Sequence, residues 1–211
     1  LKAATRRGVV VTITPTVCES VADLAFGLII CLLRKITTAD RLVRAGEWRY
    51  RDRFVSKEVN GATLGIIGLG RIGRFMARRV KAFDMKVLAF DPYVTAAEAE
   101  SLGAALTDLE ALLSKSDVVT IHAPLTEETR GLIGRRELGV MKKGAYLVNT
   151  ARGAIVDEGA LIEALTSGAL GAAALDVLST EPPSPDNPLL KMENVILTPH
   201  MGNDTHEAFC R

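Results

Sequence analysis

Short apolar runs alternate with segments of helical periodicity from residue 62 onwards. The runs are rich in Val, Ile and Ala, which is typical of strands buried on both faces of a parallel sheet. They predict strands over Thr63–Ile67, Lys86–Phe90, Asp117–His122, Ala145–Thr150, Ala172–Val177 and Asn194–Thr198. The segments between them predict helices over Arg71–Phe83, Thr107–Lys115, Arg135–Met141 and Asp157–Ser167. This alternation predicts an α/β fold with a doubly wound parallel sheet, whose core spans residues 62–200.

The first 60 residues follow a different pattern. A short β-branched run over residues 9–14 ends at Pro15, so we predict a strand within residues 1–15. Apolar positions at helical spacing, without Pro, then predict one long helix over residues 19–46. Because the first half of this helix is apolar on more than one side, it is buried either in the core or against a second subunit. The second arrangement predicts a homodimer with two-fold symmetry.

Composition and charge exclude several classes of protein. The chain has 211 residues, 48% of them apolar, with 26 basic against 25 acidic side chains and a net charge of +1. These values are typical of a globular protein and give no electrostatic basis for binding nucleic acid or an anionic membrane. The three Cys are too few and too scattered for a disulfide framework or a metal cluster, so we expect no metal and a reducing, cytoplasmic location. The longest apolar stretch is too short to span a membrane.

Two local features allow more than one interpretation. Residues 41–57 are rich in basic side chains, which predicts either a solvated face or a phosphate-binding patch. The chain starts at Leu1 rather than Met, in a segment that reads as the middle of a helix, so we expect a fragment of a longer protein.

A glycine-rich turn follows the first strand of the core. It reads Gly68-Leu69-Gly70-Arg71-Ile72-Gly73, opens a predicted helix, and precedes a second strand that ends in Asp91, 21 residues after Gly70. This order and spacing are typical of a dinucleotide-binding turn. A glycine-rich βα turn that binds nothing is the alternative.

Each residue of this turn has a physical task in the binding interpretation. Gly68 permits the tight turn, Gly70 lets the backbone approach a pyrophosphate, and Gly73 lets the helix pack closely on the sheet. The backbone N–H groups of Arg71 and Ile72 then point at the phosphates, at the positive end of the helix dipole. Asp91 accepts hydrogen bonds from ribose hydroxyls and repels a 2′-phosphate, which favours NAD over NADP.

These and later segments resemble the nucleotide-binding domain of D-isomer-specific 2-hydroxyacid dehydrogenases. The resemblance rests on Val59-Asn60-Gly61 through Gly73, Phe90-Asp91-Pro92, Val148 to Gly153, Ala174-Leu175-Asp176-Val177, Glu181-Pro182-Pro183 and Thr198-Pro199-His200. It covers nearly all of the chain and looks closest to the D-3-phosphoglycerate dehydrogenases of serine biosynthesis. It implies a Rossmann-type domain across residues 1–211, with the family's second, substrate-binding domain absent from this chain.

The resemblance also implies a catalytic set of Arg152, Glu181 and His200. Arg152 offers a fork of donors for the carboxylate of a small 2-hydroxy or 2-oxo acid and for its reacting oxygen. His200 is the general base that takes the hydroxyl proton as hydride leaves for NAD. Glu181 fixes the imidazole tautomer. Because all three follow predicted strands, we expect them at the carboxyl edge of the sheet, where ligands bind in this fold.

Further cofactor contacts are implied by the same resemblance. Asp176 is expected to contact the nicotinamide amide, and Gly202 to lie in a loop that passes near the nicotinamide. Ala123, Thr150 and Ala151 are expected to line the cofactor groove through backbone atoms. His122 is expected beside the cofactor rather than in catalysis.

The predicted function is hydride transfer between NAD and a D-2-hydroxy acid, of 3-phosphoglycerate type. A glyoxylate or hydroxypyruvate reductase shares the catalytic set and stays open as an alternative. So does a non-catalytic, corepressor-like NAD sensor, because such relatives keep the same three side chains. Two departures from the family pattern are Asn203-Asp204 after the His200 loop, where small residues are usual, and Thr16, where Gly is frequent.

Overall fold

The computed structural model describes residues 2–12, 17–49 and 55–210. Its helices are α1 Lys2–Arg6, α2 Cys18–Arg34, α3 Ile36–Arg44, α4 Arg71–Lys81, α5 Ala96–Ser101, α6 Leu109–Lys115, α7 Arg135–Val140, α8 Glu158–Ser167 and α9 His206–Cys210. Its strands are β1 Thr63–Ile67, β2 Lys86–Phe90, β3 Ala104–Leu106, β4 Val118–Ile121, β5 Ala145–Asn149, β6 Leu170–Leu175 and β7 Val195–Leu197.

The seven strands form one parallel sheet in the order β3-β2-β1-β4-β5-β6-β7. The strand order reverses between β1 and β4, which run side by side with Leu64 opposite Val118. Crossing helices from these two strands leave on opposite faces, so a crevice opens at their carboxyl ends. The doubly wound α/β fold predicted from the alternating pattern is confirmed.

Alternate strand residues pack on the two faces of the sheet. Leu64, Ile66 and Val148 contact α2 and α4 in one buried cluster. Ile67 and Leu147 belong to the other cluster, with α6, α7 and α8. Because each strand is covered on both sides, its sequence is a continuous apolar run rather than an alternation of apolar and polar residues.

The predicted long helix over residues 19–46 is wrong in one respect: it is two helices. Lys35 adopts φ 53 and ψ 33, and its backbone N–H bonds to the carbonyls of Cys31 and Leu32, which ends α2. Hydrophobic periodicity continues across the break, so it gave no sign of a single left-handed residue. The apolar first half of α2 is buried in the domain's own core, with Ala22, Ala25 and Ile29 fully inaccessible.

The structure differs from the sequence predictions in two further places, before α2 and at the β3 edge of the sheet. Residues 9–12 form no strand and are exposed, while 13–16, with Pro15 and Thr16, lie outside the described residues. A β-branched run needs a neighbouring strand to supply its hydrogen bonds, and the structure pairs none with residues 9–12. The sequence prediction missed α5 and β3, which are short and lie at the far edge of the sheet.

Within the described residues, no helix combines the length and apolar character needed to cross a membrane.

Candidate active site

A cleft of about 710 Å³ lies at the carboxyl edge of the sheet, where β1 and β4 diverge. Its walls come from the Gly-rich turn, the ends of β4, β5 and β6, the His200 loop and the start of α2. Ten of the residues predicted for the site line it: Gly70, Arg71, Ile72, Ala123, Thr150, Ala151, Arg152, Asp176, His200 and Gly202. The fold therefore gathers residues from Gly70 to Gly202, far apart along the chain, around one opening.

The Gly-rich turn has the shape that a bound pyrophosphate requires. Gly68 adopts φ +90, and a Cβ there would lie 2.7 Å from the backbone nitrogen of Ala123. A Cβ on Gly73 would lie 2.2 Å from the carbonyl oxygen of Gly68. A Cβ on Gly70 would meet nothing within 4 Å, so this glycine leaves space in front of the turn rather than avoiding a contact with the protein.

The helix that follows the turn presents free backbone donors to the cleft. Gly70 is the N-cap of α4 and provides no side-chain cap. The first N–H groups of a helix have no intrahelical acceptor, and the helix dipole makes this end positive. Arg71 and Ile72, which carry two of these groups, line the cleft. The turn and the helix end thus fit the phosphates of a dinucleotide.

Asp91 directly follows β2, beside the turn, and is half-buried. Its Oδ2 accepts a hydrogen bond from the Leu69 N–H at 2.8 Å, and its Oδ1 accepts one from the Tyr93 N–H at 2.9 Å. The carboxylate therefore holds the Gly-rich turn in place, and each oxygen keeps a further lone pair for a ribose hydroxyl.

His200 and Glu181 form a hydrogen-bonded pair at the edge of the cleft. The Nδ1 atom of His200 lies 2.7 Å from Oε2 of Glu181, and Oε1 of Glu181 accepts the Leu178 N–H at 2.9 Å. Partial burial raises the pKa of Glu181, but the bonds from His200 and Leu178 and the charges of His200 and Arg152 outweigh it and hold the pKa below its ordinary value. An ionised Glu181 accepts a hydrogen bond from Nδ1–H of His200, so Nε2 is left as the basic nitrogen.

Asp176 anchors the loop that carries His200. The carboxylate is 2% exposed and accepts three hydrogen bonds: the Thr198 hydroxyl at 2.6 Å, and the N–H groups of Met201 at 3.0 Å and Gly202 at 3.0 Å. The resemblance implied a nicotinamide contact for Asp176, which stays a prediction. The structure shows that its carboxylate holds the chain on both sides of His200. His200 itself adopts φ 56, which a β-carbon disfavours, so the backbone needs such support.

Arg152 follows β5 and is exposed at the cleft. Its Nη1 donates to the carbonyl of Ala151 at 2.6 Å. Asn149, which is 1% exposed, fixes the turn below it by donating to the Arg152 carbonyl at 3.0 Å and accepting the Ala151 N–H at 3.0 Å.

Several residues of the site were missed by the sequence interpretation. Asn149 holds the turn that carries Arg152, and Thr198 holds the loop that carries His200. Both are polar residues at the end of an apolar strand, and that position in the sequence could have indicated their role. Val17, Cys18 and Val21 line the cleft from the start of α2, where only tertiary packing brings them.

Two polar atoms in the cleft wall have no hydrogen-bond partner in the described structure. They are Nδ1 of His122 and Oγ1 of Thr150, and both are inaccessible to solvent. The Nε2 atom of His122 lies 3.1 Å from Oγ1 of Thr120. Burial lowers the pKa of His122 to about 3, so the imidazole is neutral at physiological pH.

The parallel sheet and its glycine-rich turn at the head of the cleft define a dinucleotide-binding domain of the Rossmann type. The sequence profile of the D-isomer specific 2-hydroxyacid dehydrogenases, NAD binding domain, matches residues 26–202. The chain belongs to this family and contains its NAD binding domain.

Relatives of the chain carry two enzyme names. The chain is 51% identical over 211 residues to a D-3-phosphoglycerate dehydrogenase of Archaeoglobus fulgidus, covering 99% of this chain and 40% of the relative. It is 46% identical over 215 residues to a glyoxylate reductase of Korarchaeum cryptofilum, covering 100% of this chain and 65% of the relative. The chain therefore spans less than two thirds of the length of these relatives.

Solved structures share the fold over nearly the whole chain. The TT0316 protein from Thermus thermophilus superposes with a TM-score of 0.92 at 40% identity, covering 98% of this chain and 66% of that one. A D-lactate dehydrogenase from Aquifex aeolicus, complexed with NAD and lactic acid, gives a TM-score of 0.88 at 34% identity, covering 99% of this chain and 67% of that one.

Proposed function

We propose that this chain is the cofactor-binding half of an enzyme that moves a hydride between NAD and a D-2-hydroxy acid. The observation that carries the proposal is the His200–Glu181 pair, 2.7 Å apart, beside the cleft that the Gly-rich turn and Arg152 also line. A general base and a carboxylate-binding guanidinium next to a dinucleotide site are what oxidation of a 2-hydroxy acid requires.

His200 is the residue that moves the proton in this proposal. Its Nδ1–H is held by ionised Glu181, so Nε2 accepts the hydroxyl proton of the hydroxy acid and returns it in the reverse direction. The positive charge that forms on the ring is stabilised by Glu181. NAD, when bound, accepts or supplies the hydride.

Arg152 binds the substrate carboxylate and polarises the oxygen that reacts. Its guanidinium is exposed at the cleft, and it pairs with no carboxylate among the described residues. A planar fork of N–H donors matches a carboxylate and holds the reacting carbon in a fixed orientation.

Asp91 sets the preference for NAD over NADP in this proposal. Its carboxylate sits where the adenosine ribose of a dinucleotide lies in this fold, and its charge repels a 2′-phosphate. Ala123, Thr150, Ala151 and Gly202 line the groove, Asp176 lies between the groove and the His200 loop, and Gly68 and Gly73 shape the turn.

The substrate we propose is a 3-phosphoglycerate-like D-2-hydroxy acid. Support comes from the 51% identity to a protein named D-3-phosphoglycerate dehydrogenase. Glyoxylate is the second candidate, because a relative named glyoxylate reductase is 46% identical over this chain. We propose that a second domain supplies the opposing wall of the substrate site, so the 211-residue chain alone binds NAD and turns over poorly.

We propose further that the protein is a homodimer and is located in the cytoplasm. Because α2 is buried in its own domain, support for a second subunit comes instead from exposed apolar side chains around α1 and α3. They include Val10 at 85% exposure, Trp48 at 71% and Val55 at 82%. Light scattering of the full-length protein tests this, and a monomer contradicts it.

Calorimetric titration of this chain with NADH and with NADPH tests the cofactor assignment. We expect NADH to bind and NADPH to bind at least about tenfold more weakly, a difference of about 1.4 kcal/mol. Activity is then measured on the full-length protein with D-3-phosphoglycerate and NAD, and with glyoxylate and NADH. NADH binding without turnover of either acid would favour the non-catalytic sensor.

A further inference from the structure

The loop that carries Glu181 has no regular secondary structure of its own. This Glu181 loop spans residues 178–187, between β6 and a 3₁₀ turn over Pro188–Lys191, and most of its residues are exposed. Exposed segments with few buried contacts are the least stable parts of a domain. The 2.7 Å contact between Glu181 and His200 therefore requires that groups outside the loop fix its course.

One carboxylate, that of Glu158, ties both ends of this loop to the domain. Its Oε2 accepts the Ser179 N–H at 3.0 Å and the Ser179 hydroxyl at 2.6 Å. Its Oε1 accepts a hydrogen bond from Nδ2 of Asn187 at 2.8 Å. Because Ser179 comes before Glu181 and Asn187 comes after it, the two oxygens of one side chain hold the loop on both sides of Glu181.

The side chain of Asn187 faces Glu158 in a defined orientation. Its Oδ1 accepts the Leu189 N–H at 2.9 Å, which caps the 3₁₀ turn, so its NH₂ group is the end that meets the carboxylate. An ionised carboxylate only accepts hydrogen bonds and has enough lone pairs for all three of these donors. An amide at position 158 would instead set a second NH₂ group against that of Asn187.

Glu158 lies on a part of the domain that is fixed independently of the loop. It is the first residue of α8, and Asp157 caps this helix by accepting the Ala160 N–H at 3.0 Å. The Asp157 N–H bonds to the Ile133 carbonyl at 2.9 Å, next to a parallel bridge between Ile133 and Val156. The start of α8 is thus a rigid point of attachment for the loop.

The loop also packs against the turn that carries Arg152. Gly153 follows Arg152, and a Cβ at this glycine would overlap the carbonyl group of Leu178. The N–H of the same Leu178 donates to Oε1 of Glu181 at 2.9 Å. The peptide between Leu178 and Ser179 therefore links the Glu181 carboxylate to the turn of Arg152.

We propose that Glu158 is a positioning residue for the His200–Glu181 pair. By holding both ends of the Glu181 loop, it keeps the Glu181 carboxylate at Nδ1 of His200 and thereby keeps the proton of the neutral ring on that nitrogen. Glu158 is not among the residues that line the cleft, so it acts through the loop. The inference rests on the proposed function, in which Nε2 of His200 is the base, but its first test needs no turnover.

The ¹⁵N NMR spectrum of the His200 ring in the 211-residue chain reports which nitrogen carries the proton. The measurement is made above about pH 8, where an ordinary imidazole is neutral. We expect Nδ1 to be protonated in the parent chain and Glu158→Gln to shift the ring towards the Nε2–H tautomer. Glu181→Ala removes the acceptor and marks the full shift. Glu163→Gln, at an exposed position of α8, makes the same change on the same helix and is expected to leave the tautomer unchanged.

A reciprocal exchange separates this positioning role from a general effect of charge on α8. Asn187→Asp alone sets two carboxylates against each other, so it is expected to give the same shift and replaces Glu158→Gln if that variant does not fold. The double variant Glu158→Gln/Asn187→Asp exchanges the amide and the carboxylate at unchanged net charge, and one oxygen at position 187 still caps the 3₁₀ turn. We expect it to restore the Nδ1–H tautomer. Thermal unfolding shows that each variant is folded.

The outcomes separate this inference from the proposed function. A shift in Glu181→Ala without one in folded Glu158→Gln or Asn187→Asp overturns the inference alone, and so does a shift that the double variant leaves in place. No shift in Glu181→Ala overturns both, because His200 then does not depend on Glu181.

Kinetics of the full-length protein with NAD and D-3-phosphoglycerate, or with NADH and glyoxylate, complete the test. We expect Glu158→Gln to lower kcat about threefold to tenfold, with a smaller change in KM, and the double variant to recover the loss. A parent protein that shows the expected tautomer shifts but turns over neither acid contradicts the proposed function and supports the positioning role.

Discussion

The carboxylate of Asp176 lies 3.0 Å from the backbone nitrogen of Gly202, two residues beyond His200, which is hydrogen-bonded to Glu181. A Cβ on Gly202 would lie 3.2 Å from Oδ2 of Asp176, so the loop passes close against the carboxylate and a side chain there would be a tight fit. One buried acid at the end of β6 thus sets the path of the loop that presents His200.

The substitution Asp176→Asn tests whether this carboxylate holds the His200 loop in place. Asp176→Asn turns one acceptor oxygen into an NH₂ group that faces backbone N–H donors, so we expect the free energy of unfolding to fall by about 1–3 kcal/mol. Urea unfolding of the 211-residue chain measures it. Asp186→Asn, on an exposed loop, is the control. A stability loss no larger than that of the control shows that the loop does not depend on Asp176.

The glycines of the turn are expected to respond differently to the same substitution. Gly73→Ala places a Cβ 2.2 Å from the Gly68 carbonyl oxygen, so the helix must move and stability falls by about 1–3 kcal/mol. Gly70→Ala meets no protein atom within 4 Å, so folding is expected to be nearly unchanged. Because that methyl occupies the space assigned to pyrophosphate, NADH affinity falls about tenfold or more. Thermal unfolding and NADH titration separate the two effects, and equal stabilities would refute the packing argument.

His122 is expected to make the stability of the domain depend on pH. Burial lowers its pKa to about 3 in the folded chain, against an ordinary value of 6.5. The unfolded chain therefore binds a proton that the folded chain does not, and stability is lost as the pH falls from about 6.5 towards 3. Because His122 as a whole residue is partly exposed, we expect less than the full shift would give, a loss on the order of 3 kcal/mol.

Urea unfolding at pH 7 and pH 4.5 measures this dependence. His122→Gln is expected to flatten it, whatever its effect on stability at pH 7. His206→Gln, at an exposed position on α9, is the matched control and is expected to leave the pH dependence of the free energy of unfolding unchanged. An unchanged slope in His122→Gln would assign the pH dependence to other groups.

Glu181 contributes in a lower pH range. Its pKa is held below the ordinary value of 4.5, so the ionised form stabilises the fold above that value, and this stability is lost as the pH falls below it. Glu181→Gln is expected to lose less stability than the parent chain between pH 5 and pH 3. If the proposed function is right, the same variant of the full-length protein lowers kcat with a smaller change in KM, because His200 loses its orienting acceptor. A parallel loss in kcat and rise in KM would indicate a general distortion.

The fold was predictable from the sequence because its strands are covered on both faces. β1 and β2 were predicted with their observed bounds, and every other predicted strand of the core was found within two residues at each end. The break at Lys35 was not predictable, because one left-handed residue leaves the apolar periodicity on both sides intact. The strand expected before Pro15 depended on a pairing partner, which no local pattern supplies.

The sequence by itself determined the parallel sheet, the Gly-rich turn and the family, since these depend on local order and spacing. Only the tertiary structure decided that Asp176 anchors the His200 loop and that α2 forms one wall of the cleft. Asp176 and Gly202 are 26 positions apart, and the hydroxyl of Ser20 on α2 lies 2.9 Å from that of Thr205, 185 positions further along the chain. Such contacts follow from the packing of helices on both faces of the sheet, which no spacing along the chain records.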